Sequence, residues 1–280
     1  MKRAVIMGAT SGMGWEISRI LWQRGWTLGI AGRREERLRE LRDTLRSEKP
    51  SKAGAGQDVS QTIEYEVIDI ERDDAPEQLL SLIGKIGGMD LYFHGSGVGW
   101  HNKELDFSKE LKTVSTNALG FTRMVTASWH YFKTVQEKAF DLGDSSGIYG
   151  HIAVISSIAG VKGLGPAPSY SATKSFDNTY IQALAQLTRN TFLHSGAEGH
   201  KECRRLGIYF TDIRPGFVDT PLLDTSKHKY PMLMDPEKVA RKIVRAVEKK
   251  KRTAIIDFRY KILVFFWRLV PNFLWERIRL

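Results

Sequence analysis

"RAVIMGATSGMG", Arg3 to Gly14, decides how the rest of the chain is read. Its first five residues are a short apolar run that ends near glycine, as a buried strand does. Glycines follow at positions 8, 12 and 14, and then Ile17, Ile20 and Leu21 recur at helical spacing. A strand, a Gly-rich turn and a helix in that order aim unpaired backbone N–H groups and a partial positive charge at the turn. Glycines let the backbone bend tightly and approach a phosphate with no Cβ in the way. The stretch therefore predicts a nucleotide-binding turn built from Gly8, Thr10, Ser11, Gly12, Met13 and Gly14.

The pattern continues outward from that unit. "WTLGIAG" (Trp26–Gly32) reads as a second strand, and "RREERLRELRDTLRSE" as a charged helix that buries Leu38, Leu41 and Leu45. "IEYEVIDI", "MDLYFHGSG", "GIYGHIAVISS", "LGIYFTDIRPG" and "RTAIID" supply further strands. Helical stretches lie between them, the longest running from about Asp106 to Phe140, with another after Tyr170 and one near Pro236–Lys250. Strand and helix alternating at this spacing imply a parallel sheet covered on both faces. The expected fold is α/β: a Rossmann-type doubly wound parallel sheet in a single domain, residues 1–257, with a basic and aromatic helical tail, residues 258–280. Glu48–Gln61 is expected to be a flexible loop and Leu193–Arg205 an exposed connection.

Composition narrows the class. At 280 residues, with 42% hydrophobic and 26% charged residues, the chain suits one sizeable globular domain. The start "MKRAVIMGATSG" lacks the pattern of a signal peptide, and Cys203 has neither a disulfide partner nor the companions of a metal site. A cytoplasmic home and no bound metal are expected. The net charge of +10 is uneven: Glu237–Leu280 holds 13 Lys and Arg against 4 Asp and Glu, so +9 belongs to this end. A nearly neutral body argues against a nucleic-acid groove and towards something local at the tail.

The end of the second strand speaks to which nucleotide is bound. NAD-binding folds place Asp or Glu there for the ribose hydroxyls. This chain has Arg33 and Arg34. A carboxylate would repel a 2′-phosphate, whereas a guanidinium binds it through parallel hydrogen bonds. NADP(H) is expected over NAD(H), with Arg33 the stronger candidate of the two.

"YSATK" puts Tyr170 and Lys174 four residues apart, on one face of a helix. Free tyrosine keeps its proton until about pH 10, and a cation held nearby favours the phenolate. With Gly8-x3-Gly12-x-Gly14 at one end and this pair at the other, the chain resembles the short-chain dehydrogenase/reductase family over roughly residues 3–257. Ser157, thirteen residues before Tyr170, and Asn117 in "STNALG" match the rest of that family's catalytic set. The resemblance implies Tyr170 as general acid and base and Lys174 as its tuning cation, which also binds the nicotinamide ribose. It implies Ser157 as hydrogen-bond donor to the substrate oxygen, and Asn117 as holder of a water that joins Lys174 to solvent. Ser156 is the neighbouring alternative, but alternation along a strand points the two hydroxyls to opposite faces. Asp69 and Ile70 would lie near the adenine and Gly95 in the cofactor-wall loop. "RPGFVDTP" would bring Pro215, Gly216, Val218 and Thr220 to the nicotinamide side.

Two departures from the family pattern stand out. Met7 replaces a common threonine, which removes a supporting hydrogen bond, and His94-Gly95-Ser96-Gly97 replaces Asn-Asn-Ala-Gly. A structural hydrogen-bonding role is expected for His94. The substrate side offers Trp100, His101, Leu164, Pro166, Phe217, Leu222, Leu223, Tyr230 and Met232, a mostly apolar set that suits an apolar carbonyl or alcohol. The family resemblance implies a homodimer or homotetramer. The other reading of the fold is a non-catalytic NADP(H)-binding sensor or scaffold. The tail, "FRYKILVFFWRLVPNFLWERIRL", is too short and too charged to span a bilayer, which takes ~20 apolar residues. It suits either a helix lying at the inner membrane surface, as a peripheral contact, or packing on the domain or a partner subunit.

Overall fold

A computed structural model describes residues 2–48, 61–143, 150–194, 203–223 and 230–278. Among these, seven strands form one sheet, all parallel, in the order β3-β2-β1-β4-β5-β8-β9. The strands are β1 Arg3–Met7, β2 Thr27–Gly32, β3 Ile63–Val67, β4 Leu91–His94, β5 Gly150–Ile155, β8 Ile208–Arg214 and β9 Thr253–Ile255. The order reverses between β1 and β4, and at that switch point the strand ends open a crevice for a ligand. β2, β4 and β5 are buried along their whole length, which is why they read as unbroken apolar runs rather than as alternation.

Side chains of successive strand residues go to opposite faces, so one sheet feeds two cores. Ala4, Ile6, Leu28, Ile30 and Phe93 pack under α1 (Gly12–Gln23), α2 (Glu35–Ser47) and α7 (Pro236–Glu248). Val5, Met7, Ala31, Tyr92 and Val154 pack under α3 (Ala75–Lys85), α5 (Phe121–Asp141) and α6 (Pro168–Arg189). In α2 the leucines at 38, 41 and 45 are the buried stripe, as their spacing predicts. Each fully buried leucine contributes about 1.5–3 kcal/mol, which outweighs the poor apolar content of the remaining charged turns.

Two elements differ from the sequence reading, and a third, the tail, is helical as expected. The long helix predicted from Asp106 is α4 (Phe107–Val114), then a π-helical stretch, Ser115–Gly120, then α5. Leu193–Arg205, expected as a plain connection, has ends that pair as a small antiparallel hairpin, β6 (Phe192–His194) with β7 (Cys203–Arg205). The tail forms α8 (Phe258–Leu269) and α9 (Asn272–Trp275), and Tyr260 and Val264 enter the first core. The predicted loop between Glu48 and Gln61, the start of "GIYGHIAVISS" and the segment just beyond Leu223 lie outside the described residues.

Candidate active site

The phosphate turn joins β1 to α1. Gly8 and Gly12 hold positive φ of 88° and 53°, a region that side chains resist. A Cβ at Gly14 would fall 2.2 Å from the Gly8 carbonyl oxygen, so bare backbone forms the cradle. This fits a pyrophosphate, which needs close main-chain approach and the N-terminus of α1. Thr10 is buried, and Met13 packs on the core. Thr220 sits against this turn: a Cβ on Gly12 would lie 3.2 Å from its methyl.

The two arginines after β2 are both exposed, and they differ in what they touch. Arg34 reaches back to the turn, where its Nη2 donates to Thr10 Oγ1 at 2.7 Å and Ser11 Oγ at 2.8 Å. The sequence reading ranks Arg33 above Arg34; of the two, Arg34 is the one that contacts the turn. Arg37, which the sequence reading missed, stacks on Trp15 at 4.7 Å and points Nε at the Thr10 carbonyl, 3.5 Å away. Its position three residues past Arg34 on α2 was the available signal, since i and i+3 share a face.

Asp69 accepts from Glu71 N and shapes the turn after β3, while Ile70 is buried against Gly120 of the π stretch. Gly95 N donates to the Met7 carbonyl, which ties the loop after β4 to the phosphate turn. His94 is buried there and hydrogen-bonded through Nδ1 to the Tyr92 hydroxyl at 2.8 Å. Burial, reinforced by Lys174, lowers its pKa to about 3, so the ring is neutral and structural, as expected. On the other side of the site, Val218 is buried and bridges to Met234, and Pro215 accepts from Ile158 N at 3.1 Å. Gly216 carries the ring of Tyr260 directly on its backbone; a Cβ there would come within 2.1 Å of that ring.

The four residues of the predicted catalytic set come from three places around the carboxyl end of β4 and β5: α6, the end of β5 and the π stretch. Tyr170, in the first turn of α6, lays its ring against Gly99, where a Cβ would come within 2.5 Å. Lys174, one turn on, has its Nζ 6.0 Å from the Tyr170 ring centroid. Ser157 follows β5 and accepts from Ala159 N at 3.1 Å, which leaves its O–H free to donate elsewhere. Ser156 turns the other way and donates to Asp212, so alternation separated the two hydroxyls correctly. Asn117 lies in the π stretch, a geometry that concentrates at functional sites. Its amide accepts from Val98 N at 2.8 Å and donates to Val98 O at 2.7 Å and to Thr173. The side chain is therefore a clamp on the loop after β4, with its amide already committed.

Asp177 is the feature the sequence reading did not find. Lys174 and Asp177 pair at 2.9 Å with side chains only 6% and 1% exposed, and Lys174 also donates to the Ile155 carbonyl at 3.0 Å. Burial opposes the charge on Lys174, but Asp177 outweighs it, with Tyr170 and Asp212 adding, and the ammonium's pKa is raised. Burial pushes Asp177 up to about 6 against the pull of Lys174, so the pair is ionised at neutral pH. Beneath it Asp212 takes Arg214 Nε at 2.7 Å. An acid three residues past a helical lysine reads as a solvated i,i+3 pair; only the fold buries it.

The substrate side is apolar and aromatic. Phe217 and Tyr230 rings lie 5.0 Å apart, and His101 meets Tyr230 at 6.1 Å, linking the loops after β4 and β8. Asn102 N donates to Pro166 O at 2.8 Å, which stitches the first of those loops to the start of α6. Leu164 accepts from Ala167 N, Trp100 and Leu222 are exposed, and Met232 adopts a positive φ of 56°. Leu223 is bonded back to the Thr220 carbonyl.

Known proteins agree with this architecture. The short chain dehydrogenase family matches residues 2–231. A Myxococcus xanthus protein described as an uncharacterized oxidoreductase is 26% identical over 278 residues, spanning 98% of this chain and 95% of its own. The fold is shared with a short-chain dehydrogenase from Sphingobium yanoikuyae in complex with NADPH, TM-score 0.70 at 18% identity over 100% of this chain and 97% of that one. It is shared too with a short chain dehydrogenase/reductase from Burkholderia phymatum in complex with NAD, TM-score 0.71 at 18% identity over 94% and 92%. By its matched residues and its sheet, the chain belongs to the short chain dehydrogenase family of oxidoreductases.

Proposed function

We propose that the protein interconverts a carbonyl and an alcohol on a mostly apolar small molecule, with NADP(H) as its cofactor. The carrying observation is Tyr170 and Lys174 on one face of α6, with the ammonium buried 6.0 Å from the phenol ring. Bound at the Gly8–Gly14 turn, the dinucleotide would supply or take up hydride. Everything else falls to the chain. Tyr170 holds the proton that the reacting oxygen gains or loses. Lys174, with two of its three N–H donors spent on Ile155 and Asp177, keeps one donor for the cofactor ribose. Ser157 offers its O–H to the same oxygen as negative charge gathers there. Asn117 holds the loop at Val98, and a water held beside it would join Lys174 to solvent so that the proton is replaced. Asp177 is a positioning residue that acts through Lys174.

NADP(H) is favoured because no acid ends β2 and because Arg34, with Thr10 and Ser11, offers a cation and two hydroxyls beside the turn. Solved neighbours carry NADPH in one case and NAD in another, which supports a nicotinamide dinucleotide of either kind. The exposed Phe107, Leu111, Val114 and Leu119, beside Phe176, suit a homo-oligomer. A cytoplasmic protein with a peripheral membrane contact through its tail is the matching location. Among the described residues no helix is long and apolar enough to cross a membrane.

The test is a screen of carbonyl compounds and alcohols read at the nicotinamide absorbance, run beside fluorescence titrations with NADPH and NADH. Tyr170→Phe is expected to keep cofactor affinity and lose turnover. Cofactor binding with no turnover on any compound would favour the sensor reading, and equal affinity for NADH would remove the NADP(H) preference.

A further inference from the structure

We infer that α8 is a docking face for an anionic lipid surface. Its wheel has two apolar sides. At ~100° per residue, Tyr260, Val264 and Trp267 project to one side, and Phe258, Ile262, Phe265, Phe266 and Leu269 to roughly the opposite one. The first side is packed on the domain. The second is open to solvent, with Phe258 at 68% exposure, Phe265 at 60%, Phe266 at 57% and Leu269 at 63%. Apolar residues in one stripe on an exposed helix face need a partner to cover them.

The helix cannot roll inward to hide this stripe. Tyr260 is fully buried, and its hydroxyl accepts from Phe217 N and reaches the Pro231 and Met232 carbonyls, all at 3.1 Å. Beyond α8, Lys162 donates to Val270 O at 2.9 Å, and Trp275 Nε1 donates to Gly163 O at 2.7 Å. These contacts fasten the helix to the domain with that face outward.

Charge selects the occupant. Lys261 and Arg268 border the stripe on one edge and Arg259, paired with Asp257 at 3.0 Å, on the other, and all three are exposed. A second copy docked by two-fold symmetry would set this patch upon itself, so the cations would face one another. An anionic bilayer offers the opposite sign, together with an apolar layer that accepts the phenylalanines to a depth of about 5–10 Å. The family match ends at residue 231, so this face belongs to the part of the chain the match leaves out.

Flotation of the full-length protein with phosphatidylcholine vesicles, with and without an equal share of phosphatidylglycerol, tests this directly. Wild type is expected to float with the anionic vesicles and much less with the neutral ones. Phe265→Ser with Phe266→Ser changes only exposed positions and should lower the anionic partition by about tenfold or more. Lys261→Gln with Arg268→Gln should reduce it to the neutral level. Wild type that stays with the soluble fraction, or a serine variant that floats undiminished, overturns the inference. So does a serine variant that falls apart from dimer to monomer in sedimentation without vesicles, since a second copy would then be the occupant. Flotation needs no substrate, so its outcome stands apart from the reaction.

Discussion

Lys174 and Arg34 are both cations proposed to meet the cofactor, and the fold holds them in opposite ways. Lys174 is enclosed, fixed by a main-chain carbonyl and by a carboxylate buried with it. Arg34 lies at the surface on two neutral hydroxyls, and among the described residues no carboxylate is paired with it. A buried charge must bring its partner along and so has one geometry. An exposed one is free to be completed by a ligand, and its removal is cheap. The first arrangement suits a group that takes part in every turnover, the second a group that chooses between cofactors.

The largest expected effect breaks the enclosed side. Tyr170→Phe should reduce kcat by at least about a hundredfold, the scale of a lost general acid, while NADPH affinity by fluorescence stays within error. Next comes the carboxylate itself. Asp177→Ala would leave the Lys174 ammonium buried and unpaired, at a cost of about 3–5 kcal/mol in urea unfolding. A loss close to zero would mean that the pair is not buried in solution.

Acid supplies a finer probe of the same pair. The folded pKa of Asp177, about 6, lies above its ordinary 3.8, so the native state holds this proton more tightly than the unfolded chain does. The corresponding stability is present below pH 3.8 and is lost as pH rises through about 6, amounting to at most about 3 kcal/mol. Asp177→Asn should remove that slope, seen as the difference between two unfolding-against-pH curves. Parallel curves would show that Asp177 titrates normally.

The surface side should yield smaller numbers. Arg34→Ala is expected to lower the NADPH-over-NADH preference by about tenfold, one guanidinium–phosphate contact. Arg33→Ala should change it by about twofold or less, in keeping with an exposed charge. The reverse ranking would restore Arg33 as the stronger of the two.

Legibility followed how local each rule is. The Gly8–Gly14 turn, the alternation that separates Ser156 from Ser157, and the one-turn spacing of Tyr170 and Lys174 depend on near neighbours, and all three are readable from the chain. The leucine stripe of α2 was legible for the same reason. Asp177 was not, because its burial depends on β5 and β8 closing over α6 from 19 or more residues away. The π stretch around Asn117 was hidden because one extra residue in a turn leaves no mark on apolar periodicity within six residues. The tail offered two readings, packing or surface contact. Periodicity alone could not show that Tyr260 is buried in the domain while Phe265 stays exposed.

One contact made by that tail reaches further than its size suggests. The Tyr260 ring occupies the space that any side chain at position 216 would fill, and its hydroxyl secures the next backbone amide. Shortening the chain at Asp257 would therefore uncover the loop beside Thr220 as well as delete a surface helix. Across a lineage, these two sites should behave as a single heritable character: a chain that trades away the aromatic at 260 can acquire bulk at 216, and one that keeps it cannot.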